Sequence, residues 1–298
     1  MRAIAAGMGL GMLLAGASAW TQNNPQTQTI SSTQPVAAAT SPDFSAVYCS
    51  NFVTSDRVDE SRLVSGEQSN SRVVFGTRDY VYINKGSNQG VRVGDRYSAF
   101  RPEKDPTEVQ WFKWQNRLMK AMGTFYKDTG QLKVVHVLPN VSTAEVTFSC
   151  DYLQRGDFIR PMQERPAPPF KTETNFDRFA PVSGRSVGML VFGKDFSQTY
   201  GKFSTVYVNL GTNQGVSVGD YMRIFRYQGS HAETAPYYAD YQYSMYGFGS
   251  TPTRYQWNDL PREILGEGVV LNVGPNSTTL LVTLSRVEMF AGDYVEIE

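Results

Sequence analysis

The stretch Val81–Arg101, VYINKGSNQGVRVGDRYSAFR, carries three glycines at four-residue spacing and then an aspartate. Glycine-rich loops hold phosphate when their backbone amides converge at a helix N-terminus. A dinucleotide site needs G-x-G-x-x-G and a P-loop needs G-x-x-x-x-G-K-[ST], each leading from a strand into a helix. Here the order is strand, GxxxGxxxGD, strand, so the motif predicts turns and no anion site. Gly86 and Gly94 are expected to take positive φ in successive turns, Gly90 to open the apolar link between them, and Asp95 to bond back to turn amides.

Other chemistry is sparse. The chain has 2 His and 2 Cys, without zinc-ligand spacing. His136 alternates with Val135 and Val137 along a strand and reads as a surface or satisfied polar position. No G-x-S-x-G elbow occurs, and nothing selects a carboxylate pair for acid–base work. No catalytic residue, cofactor or metal is expected. Lys+Arg and Asp+Glu both total 28, without like-charge blocks, so the basic footprint of a nucleic-acid binder is missing.

Aromatic rings are the remaining candidates for binding. Between Tyr227 and Trp257 lie Tyr237, Tyr238, Tyr241, Tyr243, Tyr246 and Tyr255, and an earlier segment holds Trp111 and Trp114. Such rings either stack on a glycan or anchor a protein partner, or they fold back to cover a barrel end.

The elements that position these residues follow from an internal repeat. Val206–Arg226, VYVNLGTNQGVSVGDYMRIFR, matches 13 of 21 positions of the opening stretch at an offset of 125 (206 − 81). Gly211, Gly215, Gly219 and Asp220 therefore take the turn roles of Gly86, Gly90, Gly94 and Asp95. Gly266–Ile297 matches Gly130–Pro161 with 11 identities at an offset of 136 (266 − 130). One supersecondary design is used twice.

Within each copy the alternation of β-branched and aromatic residues predicts strands, with Gly-Asp and Pro-Asn pairs marking turns. Val146, Phe148 and Cys150 share one face by strict alternation. The fold class is all-β, with two tandem small antiparallel barrel-like modules and a candidate short helix in Glu108–Gly123 of the first. The expected organisation is residues 1–19 signal peptide, 20–43 disordered tether, 44–164 first module, 165–184 Pro-rich linker and 185–298 second module, which should fold alone.

The first nineteen residues, MRAIAAGMGLGMLLAGASA, have a positive start, a short apolar run and an A-x-A end. They imply export to the periplasm, cell surface or medium, with no stable membrane insertion of the mature chain. The segment after them is nearly free of charges and large hydrophobes, as in a tether.

The pattern VYINKGSNQGVRVGDRYSAFR, then a variable connection, then GQLKVVHVLPNVSTAEVTF, resembles the C-terminal β-barrel domain of flagellar assembly protein T. It is also similar to repeats in exported bacterial envelope proteins, some with LysM peptidoglycan-binding domains. The resemblance implies a non-enzymatic envelope protein that contacts another protein; the alternative is a module for peptidoglycan or another glycan. Export to an oxidising compartment predicts that Cys49 and Cys150 form a disulfide, the alternative being two buried thiols.

Overall fold

The structure, a computed structural model, describes residues 40–68, 70–104, 109, 111–112, 114–171, 176–227 and 261–298. A short helix α1 (Phe44–Tyr48) precedes strands β1 (Phe52–Thr54), β2 (Leu63–Gly66), β3 (Val74–Phe75), β4 (Tyr80–Ile83) and β5 (Arg96–Pro102). Helix α2 (Gln115–Met122) leads into β6 (Thr124–Val137), β7 (Ser142–Ser149), β8 (Leu153–Gln154) and β9 (Phe158–Pro161). The second copy supplies β10 (Val187–Gly193), β11 (Thr199–Tyr200), β12 (Thr205–Val208), β13 (Tyr221–Arg226), β14 (Glu263–Val273), β15 (Thr278–Ser285), β16 (Met289–Phe290) and β17 (Tyr294–Ile297).

The two copies share one antiparallel topology. The first sheet runs β2-β4-β7-β6-β5-β9, with β1 added to β6, and the second runs β10-β12-β15-β14-β13-β17 and closes on itself. The seam is made alike in both. Leu63 N–H donates to Asp157 O at 2.9 Å and Gly156 N–H to Leu63 O at 2.8 Å; Leu190 N–H donates to Asp293 O at 2.8 Å and Gly292 N–H to Leu190 O at 2.7 Å. Each late Gly-Asp pair thus ties the first strand of its sheet order to the last, and in the second copy this seam belongs to a closed barrel.

Bulges recur at matching positions, which lets short strands curl. Thr129, Val135 and Thr147 are unpaired extra residues in the first sheet. Leu265, Leu271 and Thr283 are their counterparts. The Thr147 bulge corrects one expectation. Val146 pairs opposite Leu132 but Phe148 opposite Gln131, so the alternation slips by one residue. Val146 stays in the barrel core, whereas Phe148 packs on Phe44 of α1 at 5.0 Å between ring centroids.

The glycine motif forms turns, with corrected roles. Gly86 and Gly211 are extended (φ −140° and −151°) and do not take positive φ. They are glycine because a Cβ would collide with the carbonyls of Leu138 and Gly274. Gly90 and Gly215 do more than open a link: they are the left-handed caps of one-turn 3-10 helices, at φ 81° and 79°. Gly94 and Gly219 take positive φ as expected. Asp95 accepts from Arg92 N–H at 2.9 Å and Asp220 from Ser217 N–H at 2.8 Å. The amides of Ser87 and Asn88 donate to the carbonyls of Leu138 and Pro139, both at 3.0 Å, so they are already occupied and face no ligand.

Each barrel has its own apolar interior, but the two also share cores. Val109 and Phe112, from the connection of the first copy, lie in the interior of the second barrel beside residues such as Leu190 and Met289. Trp111 Nε1 donates to Ala291 O at 3.0 Å, and the buried Gln115 amide donates to Val191 O at 2.8 Å. The candidate helix is shorter than expected, and the residues ahead of it act as a strap across the neighbouring barrel. Gly123 ends α2 at φ 121°, where a Cβ would meet the Thr54 carbonyl. A second shared core joins Val53, Met122 and Phe125 to Val191, Phe192 and Tyr207. The 165–184 segment is docked over its described length: Arg165 binds Asp128, and Ile264 N–H donates to Arg178 O at 2.9 Å.

Candidate functional site

A cleft of about 590 Å³ lies between the barrels, lined by Phe52, Val53 and Arg160 of the first half and by Leu271, Gly274 and Pro275 of the second. Its floor is an aromatic cluster on the outer face of barrel one. Strand alternation puts Tyr97, Ala99 and Ile159 inward, which leaves Phe100, Phe158 and Arg160 outward. Strand β1 covers this face. Phe52 stacks on Tyr126 at 5.2 Å and meets Phe100 edge-on at 5.3 Å.

Two guanidinium groups lie on this cluster: that of the exposed Arg62, 4.4 Å from the Phe158 centroid, and that of the part-buried Arg160. The Arg160 guanidinium carbon lies 4.2 Å from the Phe52 ring centroid and 5.1 Å from that of Phe100. These are cation–π distances. Among the described residues no carboxylate forms an ion pair with Arg160, and no acceptor forms a hydrogen bond with its side chain. Burial and the nearby Arg165 charge push its pKa below the usual arginine value, yet arginine stays cationic at neutral pH. Arg165 differs: both its terminal nitrogens donate to Asp128 at 2.9 Å, and Asn51 N–H donates to the same carboxylate at 2.9 Å.

Barrel two carries the same cluster in closed form. Phe225 stacks on Tyr294 at 5.6 Å, as Phe100 stacks on Phe158 at 5.9 Å. A guanidinium again sits over the phenylalanine, that of Arg262 at 4.6 Å from the Phe225 centroid. Here it is neutralised: Arg262 donates to Glu296 at 2.6 and 2.8 Å and to the Ala180 carbonyl at 3.0 Å. Glu296 occupies the register position of Arg160, opposite Arg223 as Arg160 is opposite Ser98.

Burial pushes the Glu296 carboxyl up, and the bonds from Arg262 and Ser183 outweigh it, leaving the carboxyl below its ordinary range. A depressed carboxyl contributes stability above its unfolded pKa and loses it as pH falls through the native value. Glu296→Gln should therefore flatten the acid limb of stability against pH, measured by urea unfolding between pH 3 and 7 on the ordinary carboxyl scale. An unchanged acid limb would remove Glu296 from the acid response.

The seam aspartates are also paired. Arg226 donates to Asp293 at 2.6 and 2.8 Å, and Arg101 lies 3.3 Å from Asp157. Burial pushes both carboxyls up despite these arginines. They sit at the two seams and do not line the cleft described above.

Of the residues expected from sequence to form a binding surface, Trp111 and Trp114 are described, and neither lines this cleft. Trp111 packs against the second barrel core and meets Phe290 edge-on at 6.2 Å, whereas Trp114 is 54% exposed. Tyr237, Tyr238, Tyr241, Tyr243, Tyr246, Tyr255 and Trp257 lie outside the described residues, as does His231. His136 is exposed beside the Val135 bulge. Cys49 and Cys150 form the expected disulfide, with Cα atoms 5.4 Å apart. Phe52 and Arg160 were missed. The one signal for them was the charge reversal between the copies, Arg160 against Glu296.

A scan against protein-family models gives no match for this chain, and a search of curated proteins finds no similar one.

Proposed function

We propose that this chain is a non-enzymatic, exported scaffold of the bacterial cell envelope that works through protein–protein contact, with the cleft between its barrels as the contact surface. The observation that carries this reading is the contrast between paired and unpaired charge. Asp128, Asp293 and Glu296 are each held by an arginine inside the fold, while Arg160 keeps its charge at a cleft formed by both barrels. Groups tied into structural pairs are poor general acids or bases, because their protons are fixed by their partners. An unpaired guanidinium over aromatic rings is the composition of an interface anchor.

The disulfide supports export, since such bonds persist in oxidising compartments. Among the described residues no helix is long and apolar enough to cross a membrane. The resemblance of the repeats to envelope barrel domains points the same way. Affinity capture of the chain from native envelope after mild crosslinking, read by mass spectrometry, tests the proposal. One or a few partners should be enriched, and the purified chain should stay in the supernatant with isolated sacculi. Co-sedimentation with sacculi without any protein partner would replace this reading by the glycan one.

A further inference from the structure

The geometry points to Arg160 as the recognition point for a free carboxylate, that of a peptide or protein C-terminus lying in the inter-barrel cleft. This deepens the reading of the cleft as a contact surface and rests on it. The internal repeat supplies the argument. In both barrels a guanidinium lies over the same outward phenylalanine, Phe225 in one and Phe100 in the other. In barrel two the arrangement is complete, because the Glu296 carboxylate accepts from two nitrogens of Arg262 at 2.6 and 2.8 Å. In barrel one the carboxylate position is itself taken by Arg160, and no acid of the described residues comes within ion-pair distance of it. The acid that acts on Arg160, Asp128, lies beyond ion-pair distance and is already bound by Arg165.

The Arg160 guanidinium is part-buried and has no protein acceptor, yet its nitrogens still reach solvent and are open to a ligand, and guanidinium binds carboxylate through two parallel N–H···O bonds. The Phe52 and Phe100 rings hold the planar group in place, so little freedom is lost when a ligand binds. Nor does Arg165 complete the site, since its charge is matched by Asp128. Other charges line the cleft. Asp59 is held by Lys85 Nζ at 2.6 Å and Arg57 by Glu60 at 3.3 Å, while Asp56 and Glu164 are exposed.

The walls decide between kinds of carboxylate. Beside Arg160 the cleft is lined by apolar groups, Val58 and Val273, and by polar ones, Thr54, Gln163, Thr212 and Asn272. A peptide end matches both kinds of wall, with a side chain for the valines and backbone amide groups for the polar residues, next to the carboxylate that Arg160 would take. The peptide carboxylate is therefore the occupant.

The test uses the full mature chain and NMR titration with N-acetyl dipeptides ending in Ala, Leu and Phe, each as the free acid and as the amide, with glucuronate alongside. At least one acid should shift signals around the cleft, and its amide should bind roughly tenfold or more weakly, the loss expected for a hydrogen bond to a charged group. Arg160→Gln should abolish the acid-over-amide preference, and Arg160→Lys should restore part of it. Melts of both variants verify that the fold is kept. Equal binding of acid and amide, no binding of any dipeptide, or stronger binding of glucuronate would each overturn the assignment. Partner capture from native envelope is read independently, so failure of the carboxylate assignment is distinguishable from failure of the contact-surface reading.

Discussion

Replacing Phe112 by alanine should destabilise the chain by about 3–5 kcal/mol, the usual cost of removing a fully buried phenylalanine. The effect falls on the wrong half of the repeat for a simple two-domain protein. Phe112 belongs to the connection between β5 and β6 of the first barrel, yet it is 0% exposed within the core of the second. Removing its ring opens a cavity among side chains of barrel two. The adjoining strap contacts, the Trp111 bond to Ala291 and the Gln115 bond to Val191, limit how far the site can collapse. The shared core of Val53, Phe125, Phe192 and Tyr207 couples the barrels, so unfolding by urea should remain one transition with a lowered midpoint. The fragment 185–298 lacks the strap and this partner surface, and should melt less cooperatively and at lower temperature than the full chain. A loss below about 1 kcal/mol for Phe112→Ala, or a fragment melt equal to that of the full chain, would show that barrel two closes by itself.

The strand framework was legible because it is local and stated twice. Alternation and turn chemistry need only neighbouring residues, and a repeat of 13 identities in 21 positions makes both copies vouch for each other. Gly94 and Gly219 were readable for the same reason. Gly86 and Gly211 were not, since their glycine answers to a carbonyl more than fifty residues away in sequence. The bulge at Thr147 was equally hidden: it is a property of the pairing with β6, and it moved Phe148 off the face that alternation assigned it. Trp111 and Phe112 show the limit of local pattern most plainly. An aromatic cluster announces burial or binding, but it does not say which barrel receives it. The Arg160 site was half legible. The reversal to Glu296 stands in the aligned sequences, whereas its meaning depends on Arg262, which has Tyr126 at the matching place and supplies the second charge from just before β14.

The disulfide should stabilise the chain by up to ~4–5 kcal/mol, because it closes a loop of about 100 residues in the unfolded ensemble. In the chain-entropy model nearly all of that acts on the unfolded state, and the native geometry supports this division here. Cys49 caps α1 and Cys150 follows β7. The segment just beyond Cys49 is held by other means: Asn51 and Asp128 exchange two bonds at 2.9 and 3.0 Å, and Ser277 donates to Val53 O at 2.7 Å. A Cys49→Ser/Cys150→Ser chain should therefore keep β1 over the aromatic cluster and give the same circular dichroism at 25 °C. Its urea midpoint should fall, and its m-value should rise slightly as the unfolded chain expands. Both cysteines are changed together so that no lone thiol remains to cross-link two chains. Thiol titration of the denatured, unreduced wild-type chain should count none. Two reactive thiols per chain would refute the bond itself. An unchanged midpoint in the double variant would mean that strain or residual structure cancels the loop-closure term, and a loss of the native spectrum would mean that α1 and β1 depend on the bond directly.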